Sequence, residues 1–297
     1  MRIGIDVGGT KLEAIALDSD SRELLRHRIP APKGDYEATL AVIVALVATV
    51  ETTVGERGTV GIGIPGAISP ATGLVKNANS TWLNGRPMAD DLARVLARPV
   101  RFENDANCFA LSEATDGAAR GAAVVFGVII GTGTGGGLVV AGRVLTGANA
   151  IAGEWGHNPL PAPEDDERPG PACYCGRRGC IETFLSGPAL ARDYAGAGVS
   201  VDAAEIAERA RSGDRAADAC LARYEHRMAR ALAGVINIVD PDVIVLGGGL
   251  SNIERLYESV PRLWTPHIFS DRVTTRLVRA RHGDSSGVRG AAWLWKE

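Results

Sequence analysis

The 297-residue chain has no excess of basic charge, since 32 Lys and Arg stand against 35 Asp and Glu, for a formal net charge of -3. A chain without a basic field does not hold nucleic acid phosphates, so we expect no nucleic acid partner. We expect that no apolar run approaches the length of a membrane span, and Met1-Arg2-Ile3 opens without a signal-peptide pattern. These absences predict a cytoplasmic protein with no membrane partner.

Cysteine is scarce, with five in the chain, and an odd number argues against a disulfide framework. Three of the five, Cys173, Cys175 and Cys180, crowd into one short segment, and His157 precedes them. Three thiolates and one imidazole are the ligand set of a closed tetrahedral zinc site. The alternative is a group of free thiols, which would invite oxidation in a reducing compartment. The spacing therefore predicts a structural Zn²⁺.

The Walker pattern G-x-x-x-x-G-K-[ST] is missing, as is a clean G-x-G-x-x-G after an amino-terminal strand. Glycine is nevertheless concentrated after three apolar segments, in Gly8-Gly9, Gly131–Gly137 and Gly247–Gly249. Glycine lets backbone N–H groups approach a phosphate closely, although any one of these turns could be a plain hairpin. Three such turns together indicate a site for a polyphosphate nucleotide.

The order of predicted elements is that of an α/β protein with two related lobes. A hairpin over residues 3–17, a helix over 36–54, strands at 59–64 and 100–102 and a helix reaching about 118 form the first part. A strand over 123–130 then starts a second part with its own glycine turn, followed by a helix over 214–239 and a strand over 243–246. We predict a small lobe over 1–118 and a large lobe over 119–287 that carries the zinc loop. A last helix within 288–297 can pack on either lobe.

Polar side chains near these turns are the candidates for catalysis. Asn104-Asp105 stands at a strand-to-helix junction, where α/β proteins place ligands, although a helix cap would explain the pair equally well. Glu154 and Glu182 flank the metal loop, and their alternative reading is ordinary surface charge. The polar run from Lys76 to Trp82 could bind a polyol but indicates nothing alone.

These motifs, taken in order, resemble the ROK family of bacterial sugar kinases in the actin-like, hexokinase-like ATPase superfamily. The resemblance covers the whole chain and rests on Asp6–Lys11, Gly63–Gly66, Glu103–Asn107, Ile130–Gly133, Gly153–His157 and Cys173–Glu182. It implies a two-lobed actin-like ATPase fold, related to ribonuclease H, with a nucleotide and sugar cleft between the lobes. It also implies a homodimer.

The resemblance assigns roles to particular residues. Asp105 would be the general base for the attacking sugar hydroxyl, and Asp6 would hold Mg²⁺ through water. The sugar would be bound by Asn79, Asn104, Asp105, Glu154, His157 and Glu182, with His157 also a zinc ligand. ATP would be bound by Gly4, Asp6, Gly8, Gly9, Thr10, Lys11, Gly131, Thr132, Gly133, Thr134, Gly135, Gly136, Gly137, Gly248 and Gly249.

Within the family the sequence looks most like fructokinases that also accept mannose, judged from Lys76–Gly85, Trp155–Pro161 and His282–Gly287. The resemblance therefore implies phosphorylation of fructose at the 6-hydroxyl, with mannose and glucose as further substrates. Glucokinase and N-acetylglucosamine or N-acetylmannosamine kinase remain alternatives. A sugar-responsive repressor would need a helix-turn-helix before Asp6, where we expect no room. A non-catalytic sugar sensor should lack the base, whereas Asp105 and Lys11 are both present.

Overall fold

The computed structural model describes residues 1–195 and 201–295. The strands are β1 Arg2–Val7, β2 Lys11–Leu17, β3 Glu23–Pro30, β4 Thr59–Ile64, β5 Ala67–Ile68, β6 Val75–Lys76, β7 Val100–Asn104, β8 Val124–Ile130, β9 Thr134–Val140, β10 Arg143–Val144, β11 Val243–Gly247 and β12 Arg276–Arg279. The helices are α1 Tyr36–Val54, α2 Met88–Leu96, α3 Asp105–Thr115, α4 Glu182–Leu185, α5 Gly187–Ala195, α6 Ala203–Arg211, α7 Arg215–Val239, α8 Leu256–Trp264 and α9 Ser286–Trp293. The predicted α/β class is confirmed.

The chain divides into two compact units. Unit 1 comprises Met1–Gly121, Gly137–Ala152 and Asp284–Glu297, and unit 2 comprises Ala122–Gly136 and Gly153–Gly283. The lobes predicted over 1–118 and 119–287 are continuous stretches of chain, whereas each unit gathers separate segments. Because a compact unit is not by itself a folding domain, the predicted lobe boundary stays a prediction.

Unit 1 is built on a five-stranded sheet with the order β3-β2-β1-β4-β7. The strands β1, β2 and β3 are antiparallel neighbours, and β1, β4 and β7 run parallel. The predicted hairpin is confirmed, since Val7 pairs with Leu12 and the Gly8 amide donates to the Lys11 carbonyl at 3.0 Å. Parallel strands bring their carboxyl ends to one edge of the sheet, which is where Asp6 lies.

Helix α1 begins after Asp35, whose side chain accepts a hydrogen bond from the Ala38 amide at 2.9 Å, and ends at Gly55 in the left-handed conformation. By length and composition it could cross a membrane, with a hydropathy of 1.7, so the expectation that no run approaches a span was wrong. One such helix is weak evidence, because a core helix passes the same test. Its inward face packs into the core of unit 1 through Leu40, Ile43 and Val47.

Helix α9, from the far end of the chain, packs against α3, β1 and β4 in unit 1. Glycines make this approach possible: a Cβ at Gly4 would lie 2.0 Å from the Val288 carbonyl oxygen, and one at Gly61 would lie 1.9 Å from that of Ala291. Backbone this close to backbone cannot yield as a flexible side chain could. Gly4 is therefore a packing glycine under α9, away from the turn that follows β1.

Unit 2 contains β8 and β11, which lie in a second five-stranded sheet with the order β10-β9-β8-β11-β12. Strands β8, β11 and β12 run parallel. The long helix α7 begins after Asp214, which caps the amides of Ala216 and Ala217. The predicted glycine turn is shorter than expected, since Gly135, Gly136 and Gly137 belong to β9. A Cβ at Gly137 would lie 2.3 Å from the Ala106 carbonyl oxygen, so this glycine also serves packing.

Candidate functional site

Three residues from neighbouring parallel strands lie in register at the carboxyl edge of the sheet in unit 1. Asp6 of β1 pairs with Gly63 of β4, and Gly63 pairs with Glu103 of β7. A Cβ at Gly63 would lie 3.6 Å from Asp6 Oδ1, so the side chain of Asp6 occupies the space beside this glycine. Asn104 and Asp105 follow Glu103 directly, which places the predicted catalytic pair at the same edge.

The electrostatics of this edge are dominated by carboxylates. Burial raises the pKa of Asp6 to about 7, and the charges of Asp105 and Glu13 act in the same direction. The positive charges of Lys11 and Arg28 oppose this rise only in part. An environment that resists the anion so strongly would be relieved by a bound cation, so the donor set around Asp6 fits a divalent metal ion.

Asp105 is the first residue of α3, and Asn104 is its N-cap. The Asn104 side chain accepts hydrogen bonds from the amides of Ala106 at 2.9 Å and Asn107 at 3.3 Å, while its own amide group donates to the Gly66 carbonyl at 3.0 Å. The helix-cap reading of this pair is thus confirmed, and the catalytic role of Asp105 stays a prediction. Asn104 caps the helix, and its cap fixes the backbone from which the Asp105 carboxylate projects.

The first glycine turn, Gly8 to Thr10, lies beside the polar loop that contains Asn79. A Cβ at Gly9 would lie 3.5 Å from the Ser80 hydroxyl oxygen. Asn79 is exposed next to the buried Ser80, and Gly9 and Thr10 are also exposed. In unit 1, the turn predicted to bind phosphate therefore lies next to the loop predicted to bind sugar.

The second glycine turn, Gly131 to Gly133, lies in unit 2 between β8 and β9. The carboxylate of Glu182 accepts a hydrogen bond from the Thr134 amide at 2.9 Å, and a Cβ at Gly133 would lie 2.7 Å from the same oxygen. The Gly187 amide donates to the Gly131 carbonyl at 2.7 Å. Glu182, predicted as a sugar ligand, therefore also supports the turn predicted to bind phosphate.

A cavity of about 1130 Å³ opens beside this second turn within unit 2. Its wall includes Gly131, Thr132 and Gly249 together with small residues of α5 and α6. Gly248 precedes this wall at the end of β11 with a φ of +82°, and a Cβ there would lie 2.4 Å from the Ile130 carbonyl oxygen, so glycine is required at that position. The size and small-residue lining suit a nucleoside.

The four predicted metal ligands come together in unit 2, with their ligand atoms within 4.8 Å of one another. The Cys173 sulfur lies 3.5 Å from His157 Nδ1, and the sulfurs of Cys175 and Cys180 lie 3.6 Å apart. Ligand atoms of a tetrahedral zinc site, with bonds of about 2.0–2.3 Å, lie about 3.3–3.8 Å apart. The donor set and its spacing therefore fit Zn²⁺.

Two short backbone contacts close the metal loop. Pro159 forms an antiparallel bridge with Cys180, which brings the segment after His157 to the third cysteine, and Ala172 forms another with Arg178. A buried ion pair holds the stretch before Cys173: Glu167 accepts hydrogen bonds from Arg227 and Arg230 of α7 at 2.7–2.9 Å. Burial alone would raise the pKa of Glu167, but these guanidinium groups lower it to about 2.

Tyr174 is a residue of this site that sequence reasoning missed. Its hydroxyl lies 2.9 Å from His157 Nε2, the ring nitrogen expected to face a sugar, and its ring packs edge-on against the imidazole. Tyr174 is largely exposed, so only partial desolvation of its phenol, followed by the negative charges of Glu182 and Glu154, raises its pKa. Its position between Cys173 and Cys175, two predicted zinc ligands, was the sequence feature that could have indicated it.

Glu103 opens the motif Glu103–Asn107, but the sequence assigned it no role of its own. Its carboxylate accepts three hydrogen bonds around the Asn104-Asp105 junction. Two of the donors, Asn104 and Asn107, are local, whereas Thr146 is 43 residues away and could not have been predicted from the sequence. Of the predicted sugar ligands, unit 1 carries Asn79, Asn104 and Asp105, and unit 2 carries Glu154, His157 and Glu182.

Comparisons with known proteins identify the family of this chain. A family model described as the ROK family matches residues 2–297. The N-acetyl-D-glucosamine kinase of Yersinia pseudotuberculosis serotype O:1b (strain IP 31758) is 40% identical over 299 residues, covering 99% of this chain and 98% of its own. That of Haemophilus influenzae (strain 86-028NP) is 41% identical over 303 residues, covering 99% of both chains.

Among solved structures, the ROK hexokinase from Thermus thermophilus is 34% identical with a TM-score of 0.86, covering 98% of this chain and 96% of that one. The ROK family glucokinase from Streptomyces griseus, solved with glucose and AMPPNP, is 28% identical with a TM-score of 0.79, covering 99% and 98%. The expected fructokinase specificity has no support in these relatives. The chain therefore belongs to the ROK family and is one of its sugar kinases.

Proposed function

We propose that this sugar kinase transfers the γ-phosphoryl group of ATP to the 6-hydroxyl of N-acetyl-D-glucosamine. The observation that carries the proposal is the 40–41% identity, over nearly the whole chain, to kinases named for that sugar. A second candidate substrate is glucose, which the 28% identical Streptomyces griseus structure contains. The sequence-based choice of fructose is replaced by these two.

Asp105 is the general base of the proposed reaction. It takes the proton of the attacking hydroxyl as the oxygen approaches the γ-phosphorus, which leaves the sugar oxygen to form the new bond. The N-terminus of α3 and the Asn104 cap hold its backbone in one place. A fixed base contributes mainly by orientation, because the attacking atom must lie in line with the leaving group.

The two glycine turns are the proposed phosphate-binding elements, one in each unit. In unit 1 the amides of Gly9 and Thr10 and the Lys11 ammonium donate to phosphate oxygens, and in unit 2 the amides of Thr132 and Gly133 do so. The Gly8 and Gly131 amides instead close their turns by donating to the carbonyls of Lys11 and Gly133, each at 3.0 Å. The cavity beside Gly131 and Gly249 takes the nucleoside. Of the other predicted ATP ligands, Gly4 and Gly137 act through packing. Asp6 would hold Mg²⁺, which would neutralise phosphate charge when bound.

The sugar ligands proposed in unit 1 are Asn79, Asn104 and Asp105, and those in unit 2 are Glu154, His157 and Glu182. Amide, carboxylate and imidazole groups can each pair with the hydroxyls of a pyranose. His157 also belongs to the metal cluster, and its two ring nitrogens are distinct: Nδ1 lies toward Cys173, and Nε2 lies toward Tyr174. Zn²⁺ held by His157, Cys173, Cys175 and Cys180 would fix the imidazole ring and so orient Nε2.

The test is a coupled ADP-release assay with ATP and Mg²⁺ against N-acetylglucosamine, glucose, N-acetylmannosamine, mannose and fructose. We expect the highest kcat/KM on N-acetylglucosamine, with Asp105→Asn keeping nucleotide binding and losing most turnover. Turnover led by glucose would favour the second candidate. Absence of turnover on every sugar would refute the proposed function, and near-native turnover of Asp105→Asn would refute the assignment of the base.

A further inference from the structure

The Glu103 carboxylate is the central acceptor of a hydrogen-bond network in unit 1. None of the residue roles in the proposed function involves Glu103. Its Oε1 accepts from the Asn104 amide and from the Asn107 side-chain amide, both at 2.9 Å. Its Oε2 accepts from the Thr146 hydroxyl, also at 2.9 Å. Each of these bonds goes to a carboxylate, so each is charge-assisted and stronger than a neutral hydrogen bond.

These bonds lie on both sides of Asp105. The Asn104 amide belongs to the residue before it, and Asn107 belongs to the first turn of α3 after it. Glu103 therefore ties the end of β7 to the start of α3, and the backbone between them carries the proposed base. Because Glu103 bonds to residues on both sides of Asp105, it can fix the backbone conformation that sets the direction of the Asp105 side chain.

The third bond extends the network to the loop after β10, residues 145–152. In this loop Thr146 donates to Glu103, and three residues later the Asn149 carbonyl accepts a hydrogen bond from Lys76 Nζ at 2.5 Å. The Ala152 amide donates back to the Thr146 carbonyl at 3.2 Å, which closes the loop on itself. Lys76 opens the polar run that contains the proposed sugar ligand Asn79.

We propose that Glu103 is a positioning residue for phosphoryl transfer, which aligns the Asp105 carboxylate through the 103–107 junction and links it through the 145–152 loop to the sugar loop. This inference rests on the proposed function, because it needs Asp105 as the base. It predicts that loss of the Glu103 acceptor lowers kcat, since misplacing a base by about 1 Å can cost about 100-fold in rate.

The test compares variants of two carboxylates at opposite ends of α3, the half-buried Glu103 and the buried Glu113. Glu103→Gln removes acceptor capacity beside Asp105. The matched control is Glu113→Gln, since Glu113 accepts from the Ser286 hydroxyl at 2.6 Å and the Ala118 amide at 2.8 Å at the far end of the helix. We expect Glu103→Gln to lower kcat at least tenfold with an unchanged Kd for ATP. Glu113→Gln should lower the melting temperature without lowering kcat comparably.

Two further variants separate positioning from general loss of structure. Glu103→Asp keeps a carboxylate and should restore part of the lost kcat. Thr146→Val removes one donor to Glu103 and should lower kcat less than Glu103→Gln. In the double variant, the effect of Thr146→Val should largely disappear, because its partner is already lost.

The outcomes separate this inference from the proposed function. If the wild type is active but Glu103→Gln keeps its kcat, or if Glu113→Gln lowers kcat as much, the positioning role is wrong and the kinase assignment stands. Additive effects of the Glu103 and Thr146 variants would also overturn it. If the wild type phosphorylates no sugar, the proposed function fails and this inference fails with it.

Discussion

At the scale of single residues, Asp6 is held in a protein environment that opposes its charge. With a pKa of about 7 in the folded protein and 3.8 as its ordinary value, the folded state binds the Asp6 proton more tightly than the unfolded state. The contribution of this proton to the free energy of unfolding is fully present below about pH 4 and is lost as the pH rises through 7. The proposed Mg²⁺ site requires the anion, and the anion lowers stability at neutral pH.

We therefore predict that Asp6→Asn stabilises the protein while abolishing kinase activity. Without ATP and Mg²⁺, its gain in melting temperature over the wild type should grow between pH 4.5 and 7 and then level off. The limiting gain is up to about 4 kcal/mol in the free energy of unfolding. Differential scanning fluorimetry across this range measures it, with the exposed Asp20→Asn as control. A gain that does not change with pH would contradict the assignment.

The residues of the site differ in how far they could be predicted. The cluster of His157, Cys173, Cys175 and Cys180 was predictable because its three cysteines are close in sequence. The contact of Tyr174 with His157 and that of Glu103 with Thr146 join residues 17 and 43 positions apart, which no local pattern contains. Gly4 was predicted to bind ATP, but a Cβ there would lie against the backbone of α9, so its nucleotide role stays a prediction.

At the scale of elements, the metal loop is a segment with little regular structure of its own. Two isolated bridges and the Glu167 ion pair with α7 hold it, and four ligand side chains converge inside it. Such a loop buries little apolar surface, so a bound metal should supply much of its order. Hydrogen bonds from Arg177 lower the pKa of Cys175 to about 6, which favours the thiolate that a metal binds.

We predict that Cys175→Ser lowers the zinc content and the melting temperature together. The matched control is Cys220→Ser, because Cys220 is buried on α7 outside the cluster. Zinc is measured by atomic absorption on the purified protein and the melting temperature by calorimetry. A Cys175→Ser protein that keeps full zinc, or one that loses zinc and keeps full stability, would show that the proposed structural role is wrong.

Elements with a strong internal pattern were predictable, and those that depend on neighbours were not. The hairpin, α1, α7 and β11 were predicted close to their observed bounds. Strand β3 is charged and largely exposed, so it lacks the alternation of a buried strand. The start of β9 consists of Thr134 and three glycines, a composition typical of a turn. It forms a strand because it lies between β8 and β10 in the sheet, and it needs glycine at 136 and 137 because neighbouring backbone and the Trp155 ring leave no room for a Cβ.

At the scale of the whole molecule, unit 1 is assembled from three separate segments of the chain. Gly4 and Gly61 permit the contact of α9 with β1 and β4, and Gly290 permits its contact with Cys108 of α3. This closure could not be predicted, since the sequence allowed the last helix to pack on either lobe. The homodimer implied by the resemblance and the cytoplasmic location predicted from the sequence pattern both stay predictions.

We predict that Gly4→Ala destabilises the protein and does not act through nucleotide affinity. Its Cβ would lie 2.0 Å from one backbone atom of α9 and 2.6 Å from another, which should cost about 3 kcal/mol or more. Gly55→Ala is the control: its φ of +79° makes alanine cost about 1 kcal/mol, with no neighbour within 4 Å. Urea unfolding and ATP titration measure both. Wild-type stability with weaker ATP binding would restore a nucleotide role for Gly4.

The closing of unit 1 by α9 also matters while the protein is being made. Residues 286–293 leave the ribosome after every residue of unit 2, so β1 and β4 cannot be covered by α9 until unit 2 has been translated. At about 5–20 residues per second, translation from residue 122 to α9 takes on the order of ten seconds. During that time the face of the unit 1 sheet that α9 later covers is exposed in the nascent chain. Unit 1 therefore completes its folding only after unit 2 has been translated.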